Sequence, residues 1–181
     1  MDIEKQALQF KNVLTVDPGW HTGLARWDGT VNPITNILHA KAISKSPLDK
    51  LNSQLENFSN YVCKLEPPQT ITSSIKLCII EGVSVWGGSA KSQMAATKGD
   101  LMFLAYLIGG MIDECREYGI PVKLVYASDC DIQGQHFPGW KGQLSAKGVT
   151  LRIARLTGNT YPEHIREAVG MGLNEITGGT L

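Results

Sequence analysis

The chain has 181 residues, of which 43% are apolar, 7% aromatic and 19% charged; these are proportions of a folded globular chain and exclude a disordered one. Seventeen basic residues balance seventeen acidic ones, so there is no overall basic excess of the kind that marks many nucleic-acid binders. The longest apolar run, 101–112, is broken by Gly109-Gly110, and residues 1–10 lack the apolar stretch of a signal peptide; a single domain spanning 1–181, cytoplasmic and with no membrane partner, is expected.

In chain order, residues 11–17 (KNVLTVD) read as a short buried strand that stops at the turn signal Pro18-Gly19. Residues 23–28 (GLARWD) form a second strand ending at Asp28-Gly29, and 37–43 a third, giving an antiparallel meander. Ser46-Pro47 opens a helix, Ser as N-cap and Pro at the first position. Its apolar stripe is Leu48, Leu51, Leu55, Phe58, Val62 and Leu65, and Pro67-Pro68 ends it. Residues 75–85 (IKLCIIEGVSV) are the strongest strand, apolar on both faces at Leu77–Ile80, as a central strand covered by helices should be. A long helix over 92–118 is apolar on more than one side, which suits either a core position or half of a subunit contact. Gly109-Gly110 within it predicts a close neighbour. A strand over 120–126, a loop over 127–142, a helix over 144–156 and a last helix from about Pro162, capped from Asn159 or Thr160, complete the order β-β-β-α-β-α-β-α-α. This is an α/β domain with one mixed sheet. The four cysteines show no metal or redox spacing and read as free, mostly buried thiols.

Two acids end strands. Asp17 closes the first, and Glu81 follows the buried run Ile79-Ile80. A carboxylate at the lip of a buried sheet loses hydration unless a partner or cation compensates. If the two strands are neighbours, a divalent cation is the simplest answer to the repulsion between the acids. His164 and Glu167 stand three apart on one face of the last helix, beside its core stripe through Ile165, Ala168, Val169, Leu173 and Ile176. Three carboxylates and one imidazole form a hard, oxygen-rich donor set that suits Mg²⁺ or Mn²⁺ better than Zn²⁺ or copper. Between residues 132 and 162 the only charged residues are Lys141, Lys147, Arg152 and Arg155, a local basic stretch in a balanced chain.

Four segments, in order, resemble one family. VLTVDPGWHTGLARW resembles the first strand, acid and hairpin of the RuvC-type Holliday junction resolvases, a branch of the RNase H-like nucleases. IIEGVSVW resembles their second acidic strand, WKGQLSAKGVTLRI their basic segment, and YPEHIREAVGMGL their C-terminal metal-binding helix. The resemblance covers nearly the whole chain. It implies an RNase H-like fold, with a five-stranded mixed sheet and helices on both faces. It implies a metal-dependent endonuclease that resolves four-way DNA junctions by paired symmetric nicks, leaving 5′ phosphate and 3′ hydroxyl ends, and that works as a homodimer. Carried over by position, it gives Asp17, Glu81, His164 and Glu167 as catalytic metal ligands. Glu167 stands where the family more often has Asp.

Two Mg²⁺ ions, with Mn²⁺ able to substitute, would straddle the scissile phosphate. Asp17 would bridge both ions, Glu81 would take one, and His164 with Glu167 would hold the other. Trp86 stands where the family often has an aromatic that stacks on an unpaired base; Trp20 and Trp140 have similar loop settings. Lys141, Lys147, Arg152 and Arg155 would contact phosphates. The apolar helix around 101–112 is the candidate dimer interface. The same fold would also serve a nuclease for RNA–DNA hybrid, a flap or other branched nucleic acid, or a junction-binding module without activity. Asp17-Pro18-Gly19 with Thr22-Gly23 also resembles the phosphate loop of actin-like ATPases, but those need two such domains and this chain has room for one.

Overall fold

A computed structural model describes residues 3–40, 46–65, 74–83, 100–132 and 135–179. The elements are α1 (Ile3–Gln9), β1 (Lys11–Asp17), β2 (His21–Asp28), β3 (Ile34–His39), α2 (Pro47–Leu65), β4 (Leu77–Glu81), α3 (Asp100–Glu117), β5 (Val122–Val125), β6 (Cys130–Ile132), β7 (Gln135–Phe137), α4 (Ala146–Thr157) and α5 (Glu163–Ile176). Five strands form one mixed sheet in the order β3-β2-β1-β4-β5. β1–β3 are the antiparallel meander, and β1, β4 and β5 run parallel.

The alternation of β1 and β4 divides the core in two. Leu14, Val16, Cys78 and Ile80 face Phe58 and Val62 of α2 and Phe103, Leu107 and Met111 of α3. Val13 and Ile79 face Val149 and Ile153 of α4 and Ala168, Val169 and Leu173 of α5. Helices therefore cover both faces, which is why the central strands are apolar on both sides. The expected stripe of α5 is buried at all five positions. That of α2 holds at Phe58 and Val62, but Leu48 is exposed, and the polar Gln54 is wholly buried.

The structure departs from the sequence reading at several places. α1 was not expected; its single buried side chain, Ala7, leaves little apolar periodicity to read. β3 starts at Ile34, three residues early, and residues 41–45 lie outside the described part. The small hairpin β6–β7 falls in the expected loop over 127–142. The expected cap of α5 is absent: Pro162 precedes the helix with no side-chain cap, and the Asn159 amide donates to Asn32 Oδ1 and the Thr157 carbonyl. Of the two glycines in α3, Gly110 meets the expected neighbour, an ideal Cβ there falling 2.6 Å from Leu55 of α2, whereas Gly109 faces open space. Cys78, Cys115 and Cys130 are buried free thiols, and Cys63 is exposed. Among the described residues no helix is long and apolar enough to cross a membrane.

Candidate metal-dependent nuclease site

Residues Thr15 and Val16 of β1 pair with Ile79 and Ile80 of β4 in parallel register. One step further, Asp17 and Glu81 end adjacent strands side by side at the carboxyl edge of the sheet, where open α/β sheets bind ligands. Both point to the α5 face. A cavity of about 180 Å³ opens at the same sheet edge on the side of α3, lined by Asp17, Pro18, Glu81, Gly82 and Val83, with Leu104 and Ile108 as its apolar wall. Burial pushes the Asp17 carboxyl above its ordinary value, against the opposing hydrogen bond from His164. Burial, then the charge of Asp17, pushes Glu81 up to about 7. Glu81 Oε2 is buried and has no hydrogen-bond partner among the described residues. The Trp140 indole N–H lies close enough to lower the Glu81 pKa, but is itself buried with no partner in hydrogen-bond geometry among the described residues.

α5 brings the other two ligand-type residues. His164 Nδ1 lies 3.0 Å from Asp17 Oδ2, and that hydrogen bond is the main cause raising the imidazole's pKa. Two features seat the helix. Gly23 of β2 faces the backbone of His164 so closely that an ideal Cβ would fall 2.1 Å from the His164 carbonyl oxygen. The Thr15 hydroxyl donates to the Ala168 carbonyl at 2.7 Å and accepts from Trp27 Nε1 at 3.0 Å. A buried hydroxyl so paired ties two strands to the helix at no desolvation loss. The turn after Asp17 is pinned as well: Gln54 Nε2 of α2 lies 3.0–3.2 Å from the carbonyls of Gly19, Trp20 and Leu38 and from Thr22 Oγ1.

Glu167 is buried and doubly paired. Its Oε1 accepts from Arg166 Nη2 at 2.8 Å, and its Oε2 lies 2.6 Å from Lys141 Nζ. Its charge is nonetheless felt at Asp17 and Glu81, so all three carboxylates belong to one electrostatic cluster. Lys141, expected on the phosphate-binding surface, stands inside that cluster. Lys147, Arg152 and Arg155 do point outward, as exposed residues of α4. Trp86 lies outside the described residues. Its two alternatives are committed elsewhere. Trp140 is 4% exposed, its ring packed against Gly170 of α5, and Trp20 stacks on Phe103 at 3.7 Å between ring centroids with Lys50 Nζ 5.2 Å from its ring. Arg166 and Gly23 were missed in the sequence. A glycine inside a strand signals close backbone approach and could have marked Gly23; no spacing pattern marks Arg166.

The donors fit a hard divalent cation. Glu81 Oε2 is unpaired in a buried place, Asp17 and Glu81 repel each other, and the donor atoms are carboxylate oxygens with one imidazole. Among the described residues, no three His, Cys, Asp or Glu side chains already stand close enough together to hold one ion. Glu167, the fourth ligand-type residue, has its carboxylate taken up by Lys141 and Arg166.

No family model matches the chain, and no curated protein sequence does. Solved structures do. The Thermus thermophilus RuvC structure superposes with a TM-score of 0.51 at 17% identity, covering 92% of this chain and 94% of that one. T. thermophilus RuvC in complex with a Holliday junction substrate superposes with a TM-score of 0.53 at 16% identity, covering 92% and 93%. At this identity the likeness is one of fold. The RNase H-like architecture implied by the sequence motifs is the architecture of the chain.

Proposed function

We propose that this chain, built on the fold of the RuvC resolvases, is a metal-dependent endonuclease that resolves four-way DNA junctions by paired symmetric nicks. The observation that carries the reading is the pair Asp17 and Glu81, abutting at the carboxyl edge of two parallel strands, with His164 hydrogen-bonded across to Asp17 from α5. The superposition on a RuvC bound to a Holliday junction supports the choice of substrate.

Asp17, Glu81 and His164 would hold Mg²⁺, or Mn²⁺ in its place, with Glu167 as the fourth ligand. When bound, divalent ions supply the positive charge that activates water and stabilises the leaving 3′ oxygen in phosphodiester hydrolysis, which leaves a 5′ phosphate. Asp17 orients the His164 ring through Nδ1. Glu81 holds a proton near neutral pH and gives it up to ligate. Glu167 would join them by giving up its ion pair with Lys141, whose ammonium would then be available to a phosphate. Lys147, Arg152 and Arg155 line α4 for the flanking phosphates. Two copies are needed for two nicks. Their contact is the outer face of α3, where Met102 and Tyr106 are both 64% exposed. An apolar face left in water is the usual mark of an interface.

The test is cleavage of a labelled four-way junction, a duplex of the same sequence and a flap, with Mg²⁺ and with Asp17→Asn as control. Paired nicks in the junction alone, absent in Asp17→Asn, are expected. Equal cutting of junction and flap would remove the junction from the reading and keep the nuclease. Junction binding without cutting in either metal would replace it with an inactive binding module.

A further inference from the structure

A second group of imidazoles stands just outside the carboxylate cluster. His21 opens β2 and His39 ends β3, and the two are direct cross-strand partners. Their Nδ1 atoms lie 2.8 Å apart, with the rings at 72° to each other. Both side chains are exposed. We propose that His21 and His39 form a two-imidazole chelate for a transition-metal dication of tetragonal preference, Ni²⁺ or Cu²⁺, distinct from the hard-metal carboxylate site.

The distance is that of a hydrogen bond between the rings, and it also fits one class of metal. With metal–nitrogen bonds of about 2.0–2.1 Å, two ligands at 90° stand about 2.9 Å apart, whereas two ligands of a tetrahedral centre stand about 3.3 Å apart. The observed 2.8 Å matches the right-angle edge of a square-planar or octahedral ion. Imidazole nitrogens suit copper, nickel and zinc, and a pair with no carboxylate beside it does not suit Mg²⁺. The site is also preorganised. Asn57 Nδ2 donates to the His39 carbonyl at 2.9 Å, Gln54 Nε2 approaches the carbonyls of Leu38 and Trp20, and Ala40 N donates to Trp20 O at 3.3 Å. Both strand ends are thus fixed before any ion arrives, which removes part of the ordering cost of binding. The exposed side leaves the remaining coordination positions to water.

His164 is a neighbour and not a ligand. Its ring centroid is 5.9 Å from that of His21, and its Nδ1 is engaged by Asp17. His21 and His164 nevertheless line the same cavity of about 430 Å³, together with Trp20, Asp100 and Phe103. An ion on the histidine pair would place positive charge beside this cavity, which shares Pro18 and Leu104 with the one at Asp17 and Glu81. The competing account is a plain hydrogen bond between two neutral imidazoles, with no affinity for metal. The proposal does not rest on the nuclease reading.

Calorimetric titration of the full, chelator-stripped chain with Ni²⁺ decides; Ni²⁺ is chosen because the exposed thiol of Cys63 would reduce Cu²⁺. One Ni²⁺ per chain is expected in Asp17→Asn, whose carboxylate site is disabled, and the native protein should bind that ion with equal affinity. His39→Ala and His21→Gln should each weaken it about tenfold or more. Both substitutions are at exposed side chains, and unchanged circular dichroism will verify the fold. No binding to the native protein, undiminished binding in both histidine variants, or loss of binding in Asp17→Asn would each overturn the proposal.

Discussion

Glu81→Gln should make the metal-free protein more stable, and only at the higher pH. The Glu81 carboxyl is pushed from an ordinary value of 4.5 to about 7, first by burial and then by Asp17. Below pH 4.5 the group is protonated in both folded and unfolded chains, and its environment has no effect on stability. Between 4.5 and 7 the unfolded chain ionises while the folded chain keeps its proton, so the unfolded state gains ground. Above 7 both are ionised and the whole penalty applies. At about 1.4 kcal/mol per tenfold in proton affinity, the penalty is up to about 3 kcal/mol. Gln keeps the shape and removes the charge. For a chain of this size the gain corresponds to roughly 6–12 °C in Tm. Thermal unfolding with excess chelator, at pH 8 and at pH 4.5, measures it. A gap at pH 8 that closes at pH 4.5 is expected. A variant no more stable than the native protein at pH 8, or a gap of equal size at both pH values, would refute the account of Glu81 as a strained, desolvated carboxylate. Added Mg²⁺ should raise the native Tm and leave Glu81→Gln nearly unmoved, since only a bound ion stabilises the fold.

Three further outcomes are expected. Gly23→Ala should destabilise the protein by about 1–3 kcal/mol in urea unfolding, because the added methyl meets the backbone of His164 and not a movable side chain; nuclease activity should fall further than the stability loss explains. Cleavage should rise from pH 6 to pH 8 and then level, since His164 and Glu81, both with raised pKa values, must each lose a proton to ligate. The sign reverses for stability without metal: the His164–Asp17 hydrogen bond helps most below pH 6.5 and its contribution is lost as pH passes the raised value, so the destabilisation caused by His164→Ala should shrink over that range. Replacing Lys147 and Arg155 together by Ala should lower the slope of log binding constant against log salt by up to about 2 without changing junction selectivity, because phosphate contacts carry no sequence information.

The half of the site built on strands was legible in the sequence. A run of buried aliphatics ending in an acid fixes both the strand and the place of its carboxylate, and this happened twice, at Asp17 and Glu81. Parallel neighbours then bring the two together without further information. The helical half was less legible. His164 and Glu167 share a face by spacing alone, but nothing in that spacing shows that Glu167 is taken by Lys141, 26 positions earlier, and by Arg166. Such pairings are set by the packing of α5 against the sheet, which depends on Gly23 and Thr15, residues with no periodic signature. The same holds for Trp140. Its neighbours Pro138, Gly139 and Gly142 read as an exposed loop, whereas Gly170 of α5 provides the recess that buries its ring. The hairpin β6–β7 was lost because three-residue strands are too short for alternation to be seen.

Gln54 has a mechanical consequence. One amide nitrogen lies against four acceptors drawn from the β1–β2 turn, β2 and the end of β3, while its own oxygen is buried with no partner among the described residues. It therefore behaves as a stiff rivet between α2 and the segment that follows Asp17. A helix attached to a sheet by side-chain packing alone can slide by fractions of an ångström at little energy, but a rivet converts such sliding into movement of the turn. Gln54 thus links α2 to Gly19, 35 residues away in sequence and two past Asp17, so that movement of the helix and of the turn beside the carboxylate edge are coupled.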